Sequence, residues 1–167
     1  MLNFLFRGLT AQDARGTALF DAVTAEARRP DWFVQGQVPD TLDGRFAVLA
    51  TLAALVLVRL EREGEGGDAV SVALTERFIE VMESEHRELG LGDPTLGKTV
   101  RKLVGMLAKR VELWRGAQAH WIEATRESLY KGEVRNDALE HSATALRGFA
   151  QRLAATPLAE LEQGQIA

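Results

Sequence analysis

The chain of 167 residues, 46% hydrophobic and 26% charged, has enough apolar content for one domain around a single core and too little length for a second. Its net charge of −4 excludes a generally basic nucleic-acid-binding surface. With no cysteine, it can form no disulfide framework and offers no thiol nucleophile, which fits a reducing compartment.

Proline is scarce, and Ala, Leu, Glu and Arg are plentiful, so side-chain entropy favours helix. The expectation is an all-α, single-domain helical bundle of about five or six helices over residues 10–156. Residues 1–9 read as an N-terminal extension and 157–167 as a loosely held C-terminal tail. The start, Met1-Leu2-Asn3-Phe4-Leu5-Phe6-Arg7-Gly8, is apolar but lacks the charged segment and long apolar run of a signal peptide. A first helix is predicted over 11–29, capped by Thr10 and stopped by Pro30, with Ala14, Ala18, Leu19, Ala22 and Val23 inward. Residues 30–40 form a connector rich in turn formers and aromatics.

The second helix, 42–62, begins at Asp40 or Thr41 as cap. Its residues 46–58 contain no charge. Thirteen helical residues reach only about 20 Å, short of the roughly 30 Å hydrocarbon core, so this stretch reads as a buried central helix. Gly64-Glu65-Gly66-Gly67 reads as a flexible turn before a third helix over 69–89, whose exposed charges are mostly acidic: Glu76, Glu80, Glu83, Glu85 and Glu88.

Gly90-Leu91-Gly92 ends that helix, and Asp93-Pro94 starts the next with a cap and a first-turn proline. Leu96, Val100, Leu103, Val104, Leu107, Val111 and Trp114 then form one apolar stripe. Its phase continues through Trp121, Ile122, Thr125 and Leu129, so the 95–131 segment is either one long helix or two, with Gly116 as the likeliest break. A last helix over 137–155 carries Leu139, Ala143, Leu146, Phe149 and Leu153, and Pro157 closes it.

Three patterns suggest chemistry and read better as helix. Gly92-Asp93-Pro94-Thr95-Leu96-Gly97-Lys98-Thr99 fits G-x-x-x-x-G-K-T, but a phosphate loop follows a buried strand, and Glu83-Ser84-Glu85-His86-Arg87-Glu88-Leu89 is a charged helix end. Glu83 and His86 make one Glu-x-x-His step, whereas a di-iron bundle needs two and further carboxylates. His120 and His141 have no metal spacing, and no serine has an obvious histidine partner. The reading is therefore a non-enzyme, with no catalytic residues, no metal and no cofactor.

The fourth helix carries Lys98, Arg101, Lys102, Lys109, Arg110 and Arg115 against Glu112 alone. This basic face either pairs with the acidic third helix or meets an anionic lipid surface or acidic partner.

Ala27-Arg28-Arg29-Pro30-x-Trp32-Phe33, followed by Val38-Pro39-Asp40-Thr41-Leu42-Asp43-Gly44-Arg45-Phe46, resembles the hallmark of the ubiquinol–cytochrome c chaperone family. A second block, Met82-Glu83, Arg87-Glu88-Leu89-Gly90-Leu91-Gly92-Asp93 and Lys98, resembles another family element. The likeness covers roughly 19–114 and fades beyond. Ala47, Thr51-Leu52 and Leu107-Ala108-Lys109-Arg110 depart from the family pattern and mark a divergent, bacterial-type member.

The resemblance implies a helical assembly chaperone that binds newly made cytochrome b and assists its entry into respiratory complex III. It implies work beside a second assembly factor, the ribosome or the membrane surface, in the cytoplasm and peripheral to the inner membrane. The alternative is a helical module that binds anionic lipid or a different membrane-protein client. The candidate client-binding residues are Arg29, Pro30, Trp32, Phe33, Val38, Pro39, Asp40, Thr41 and Arg45, with the connector as the rim of an apolar groove. Trp32, Phe33 and Val38 are costly to expose without reason, so either they contact the client at the groove rim, or the aromatics tuck into the core while Pro39, Asp40 and Thr41 start the second helix. Arg45 is expected to pin the connector through Asp40 or through carbonyls.

Overall fold

The structure, a computed structural model, describes residues 16–167. The N-terminal extension, the Thr10 cap, the start of the first helix and Ala14 lie outside the described residues. Helix α1 covers residues 16–27 and buries Leu19, Phe20 and Val23. The short α2 (Asp31–Val34) follows Pro30, and α3 (Leu42–Leu60) runs through the centre, where it packs against helices on several sides.

Those neighbours are α4 (Glu65–Glu88), α5 (Asp93–Arg115), α6 (Trp121–Leu129) and α7 (Asn136–Ala155), with α8 (Leu158–Glu162) closing the fold. Short 3-10 turns join α3 to α4 and α5 to α6. No strand occurs among the described residues. The molecule is thus an all-α single domain, with eight helices among the described residues rather than five or six.

The charge-free stretch forms a buried central helix, as its length requires: Val48, Ala50, Leu52, Ala54, Val56 and Leu60 are inaccessible or nearly so. Among the described residues, no helix is long and apolar enough to cross a membrane. Phe78 of α4 meets Phe20 and Phe46 at centroid distances of 6.4 and 6.1 Å, which joins α1, α3 and α4. Trp114 and Trp121 meet edge to face at 4.7 Å across the α5–α6 corner, in the geometry the ring quadrupole favours.

One element boundary differs from expectation, and one open choice is decided. The Gly-rich turn before α4 shrinks to Gly64 at φ 61°, and Glu65, Gly66 and Gly67 are already helical. A β-carbon on Gly67 would collide with the Leu60 carbonyl, so glycine there serves close helix approach rather than flexibility. The 95–131 segment is two helices, broken at Gly116, and the corner lets Trp121 turn back so that its Nε1 donates to the Ala143 carbonyl at 2.9 Å.

The last residues are docked rather than loose. Leu161 is fully buried, the Ala167 amide donates to Thr156 Oγ1 at 3.0 Å, and Gly164 lies against the Ala18 carbonyl of α1. Arg59 of α3 caps the end of α7, donating to the carbonyls of Leu153 and Thr156 at 3.0 Å each. Lys, Arg or His at a helix C-terminus satisfies the last carbonyls and complements the dipole.

Candidate functional site

The candidate client site is the connector between α1 and α3. It starts where Pro30 ends α1, because a proline cannot continue the ladder and biases the preceding residue away from helix. The chain makes one turn of α2 and wraps its end, with Gly36 N–H donating to the Asp31 carbonyl at 2.8 Å and Val38 N–H to that of Trp32 at 3.1 Å. Gln37 sits at φ 52°, the left-handed conformation this reversal needs.

Of Trp32, Phe33 and Val38, two take the core alternative. Trp32 is 1% exposed and Val38 2%, both within the core, and Trp32 Nε1 donates to the Glu26 carbonyl at 2.9 Å. Phe33 is half-buried against the same core. The physical reason is the very cost that made them candidates: a bundle this small gains more by burying an indole than by displaying it.

The Pro-Asp-Thr-x-x-Gly-Arg string also has a structural explanation. Thr41 caps α3, its Oγ1 accepting from Gly44 N–H at 3.1 Å. The Pro39 carbonyl lies so close to Gly44 that any β-carbon there would overlap it. Arg45 Nε donates to Asp40 Oδ1 at 2.7 Å, the pin expected of it. That bond holds the Asp40 carboxyl below its ordinary range, and Asp40 in turn raises the guanidinium pKa.

Two further ties reach the connector from the α6–α7 loop. Tyr130 OH donates to the Gly36 carbonyl at 2.6 Å and shares a 2.7 Å bond with Ser142 Oγ, and its burial raises the phenol pKa. Lys131 Nζ meets Asp43 Oδ2 at 2.6 Å and lowers that carboxyl's pKa. On the other side, Glu26 receives Arg29 at 3.0 Å and Arg152 at 3.1 Å, and Arg29 also bonds Asp31 at 3.1 Å. Arg29, Asp31, His141, Gly148, Phe149 and Arg152 line a shallow hollow there.

The connector's outward surface includes Pro30, Pro39, Asp40, Thr41 and Arg45 together with two apolar residues that sequence reasoning missed, Val34 (67% exposed) and Leu42 (71%). Both were detectable. Val34 lies two residues after Trp32 in a helical turn, so it faces away when the indole is buried, and Leu42 shares a face with Arg45, three residues on.

On α5 the basic residues separate. Lys98, Arg101, Lys102 and Lys109 are exposed, and none of them pairs with a carboxylate of α4. Arg110 does not belong to that face. Its Nε donates to Thr51 Oγ1 at 3.3 Å, Nη1 to the Met106 carbonyl at 3.2 Å and Nη2 to the Ser128 carbonyl at 2.7 Å, and its guanidinium lies 5.9 Å from the Phe46 ring centroid. Burial lowers its pKa, and the charge of Glu127 offsets this in part. Arg115 is held by Glu61 and Glu112.

The G-x-x-x-x-G-K-T string forms the first turns of α5: Gly92 is the cap, Pro94 stands in the first turn, Leu96 is buried, and Gly97 and Lys98 are exposed on the helix. His86 Nδ1 lies 2.7 Å from the Met82 carbonyl one turn back. Among the described residues, no three His, Cys, Asp or Glu side chains gather in a way that could hold a metal ion.

The family described as ubiquinol-cytochrome C chaperone matches residues 34–167. That match contains the Val38–Phe46 half of the signature and runs to the last residue, well past the point where the likeness of local motifs fades. A solved structure, the crystal structure of the Cbp3 homolog from Brucella abortus, is similar to the whole chain, with a TM-score of 0.80 and 26% identity, over 100% of this chain and 96% of that one. No curated protein matches.

Proposed function

Because the chain belongs to the ubiquinol–cytochrome c chaperone family, we propose that it is a non-enzymatic assembly factor whose client is newly made cytochrome b on its way into respiratory complex III. The observation that carries this reading is the family match across residues 34–167, which takes in α3 and its neighbours α4, α5, α6 and α7. The connector adds a physical route. Val34 and Leu42 offer apolar contact to a hydrophobic client segment, and Asp40, Thr41 and Arg45 supply polar groups along the same connector.

A chaperone must bind and release, so a small exposed apolar patch on a fixed frame suits it better than a deep cleft. The proposed place of work is the cytoplasmic side of the inner membrane, where a membrane-protein client enters the bilayer. Deleting the gene in the native host is expected to lower assembled complex III while other respiratory complexes persist. Cytochrome b that accumulates and assembles normally without this protein would overturn the reading. Affinity capture from native membranes with wild-type protein and with Val34→Ser/Leu42→Ser then tests the patch: the variant is expected to lose cytochrome b and to keep its fold, since neither side chain is buried.

A further inference from the structure

One face of α5 has no structural employment. Lys98, Arg101, Lys102 and Lys109 recur at helical spacing on the side opposite the buried Leu96, Val100, Leu107, Val111 and Trp114. All four are exposed, and among the described residues none lies within ion-pairing distance of a carboxylate. Asp43 is close enough to Lys102 to feel its charge, but its oxygen is bonded to Lys131. Glu112 shares the face only at its far end, where Arg115 engages it.

In a chain of net charge −4, uncompensated cations on one helix face repel one another and contribute nothing to the fold. From the first to the last they extend about 16 Å along the helix axis. The residues between them on the exposed side, Gly105 and Ala108, carry no bulk, so the charges stand on a flat surface.

We infer that this face of α5 docks on anionic lipid headgroups and orients the protein on the bilayer. A flat row of lysines and arginines without a pocket specifies no peptide sequence but suits a plane of negative charge. It also lacks the aromatic platform on which single-stranded bases stack, because Trp114 is buried on the opposite side of the helix. Leu89, 61% exposed in the turn that leads into α5, supplies an apolar side chain that the headgroup region accepts. This deepens the reading of a chaperone for a membrane-protein client but stands on separate observations.

The test is co-sedimentation of the purified chain with vesicles of phosphatidylcholine alone and with about one-third phosphatidylglycerol, at roughly 0.1 M salt and again at higher salt. Binding to the anionic vesicles only, weakened by salt, is expected. Each cation neutralised costs about fivefold in partition, so Lys98→Gln, Arg101→Gln, Lys102→Gln and Lys109→Gln together reduce it by roughly two to three orders of magnitude.

A control that removes the same number of exposed cations elsewhere, Arg28→Gln, Arg62→Gln, Arg87→Gln and Arg126→Gln, retains binding if the face matters and loses it equally if only net charge does. The second result would overturn the proposal. So would equal binding to both vesicle types, or no vesicle binding together with stripe-dependent binding of a homopolymer RNA. The assay contains no client, so loss of cytochrome b capture with vesicle binding intact counts against the chaperone reading alone, and the reverse against the lipid face alone.

Discussion

Gly44 shows how one missing side chain fixes a site. Its amide completes the Thr41 cap while its Cα admits the Pro39 carbonyl. Gly44→Ala is therefore expected to cost about 2–3 kcal/mol, because the connector backbone must move to accept it. Gly105→Ala, at an exposed helical position with open space, should instead stabilise by about 0.5–1 kcal/mol. Urea unfolding of the two variants checks both signs.

Arg110 makes a second argument at this scale. It falls three residues after Leu107 and four before Trp114, at the edge of the apolar arc, and its long side chain bridges α5 to α3 and to the end of α6. Arg110→Ala should cost about 2 kcal/mol, the worth of charge-assisted bonds to buried carbonyls, and lower the Tm by about 4–8 °C. A basic residue in sequence invites the reading of a surface charge. The clue to the contrary was its phase within the stripe, which distinguishes it from Lys98, Lys102 and Lys109.

Among elements, those with a long periodic pattern were readable and the short ones were not. The charge-free run of α3 and the apolar stripe of α5 announced themselves because many residues repeat one phase. The four-residue α2 and five-residue α8 carry too few residues to show a period, and they owe their helical form to tertiary contact. Gly116 marked where the 95–131 segment would break, but the apolar phase resumes across it, so pattern alone left one helix or two open. The orientation of Trp32 and Val38 was undecidable from pattern alone, since a buried anchor and a displayed one look identical in sequence. α8 illustrates what a short element contributes. Leu161→Ala should destabilise by about 2–4 kcal/mol despite lying in the expected tail, because its side chain is wholly enclosed. Thermal melts test this, with Ala159→Ser, an exposed neighbour, expected to be neutral.

At the scale of the molecule, the charge pattern predicts a response to acid. Asp40, Asp43 and Asp137 each accept a bond from a cation, Arg45, Lys131 and Arg135 in turn, and each has its pKa lowered chiefly by that bond. A carboxyl with a lowered folded-state pKa contributes stability above its unfolded value, near 3.9, and loses that contribution as pH falls through the folded value. These pairs are exposed, so each contributes little. The Tm should therefore vary little on their account between pH 7 and 5 and decline below about 4, with high salt flattening the decline.

The residues from Ser128 to Lys131 have a consequence of their own. Within four positions, the Ser128 carbonyl takes Arg110, its hydroxyl takes Trp114 Nε1 at 2.9 Å, the Tyr130 hydroxyl reaches Gly36 and Ser142, and Lys131 reaches Asp43. This short strap fastens the helix that bears the cationic stripe to the loop that bears Val34 and Leu42. The two surfaces cannot shift independently: whatever seats the first also sets the height and tilt at which the second is held. Slow amide exchange at Gly36 and Val38 should then open in step with the end of α6.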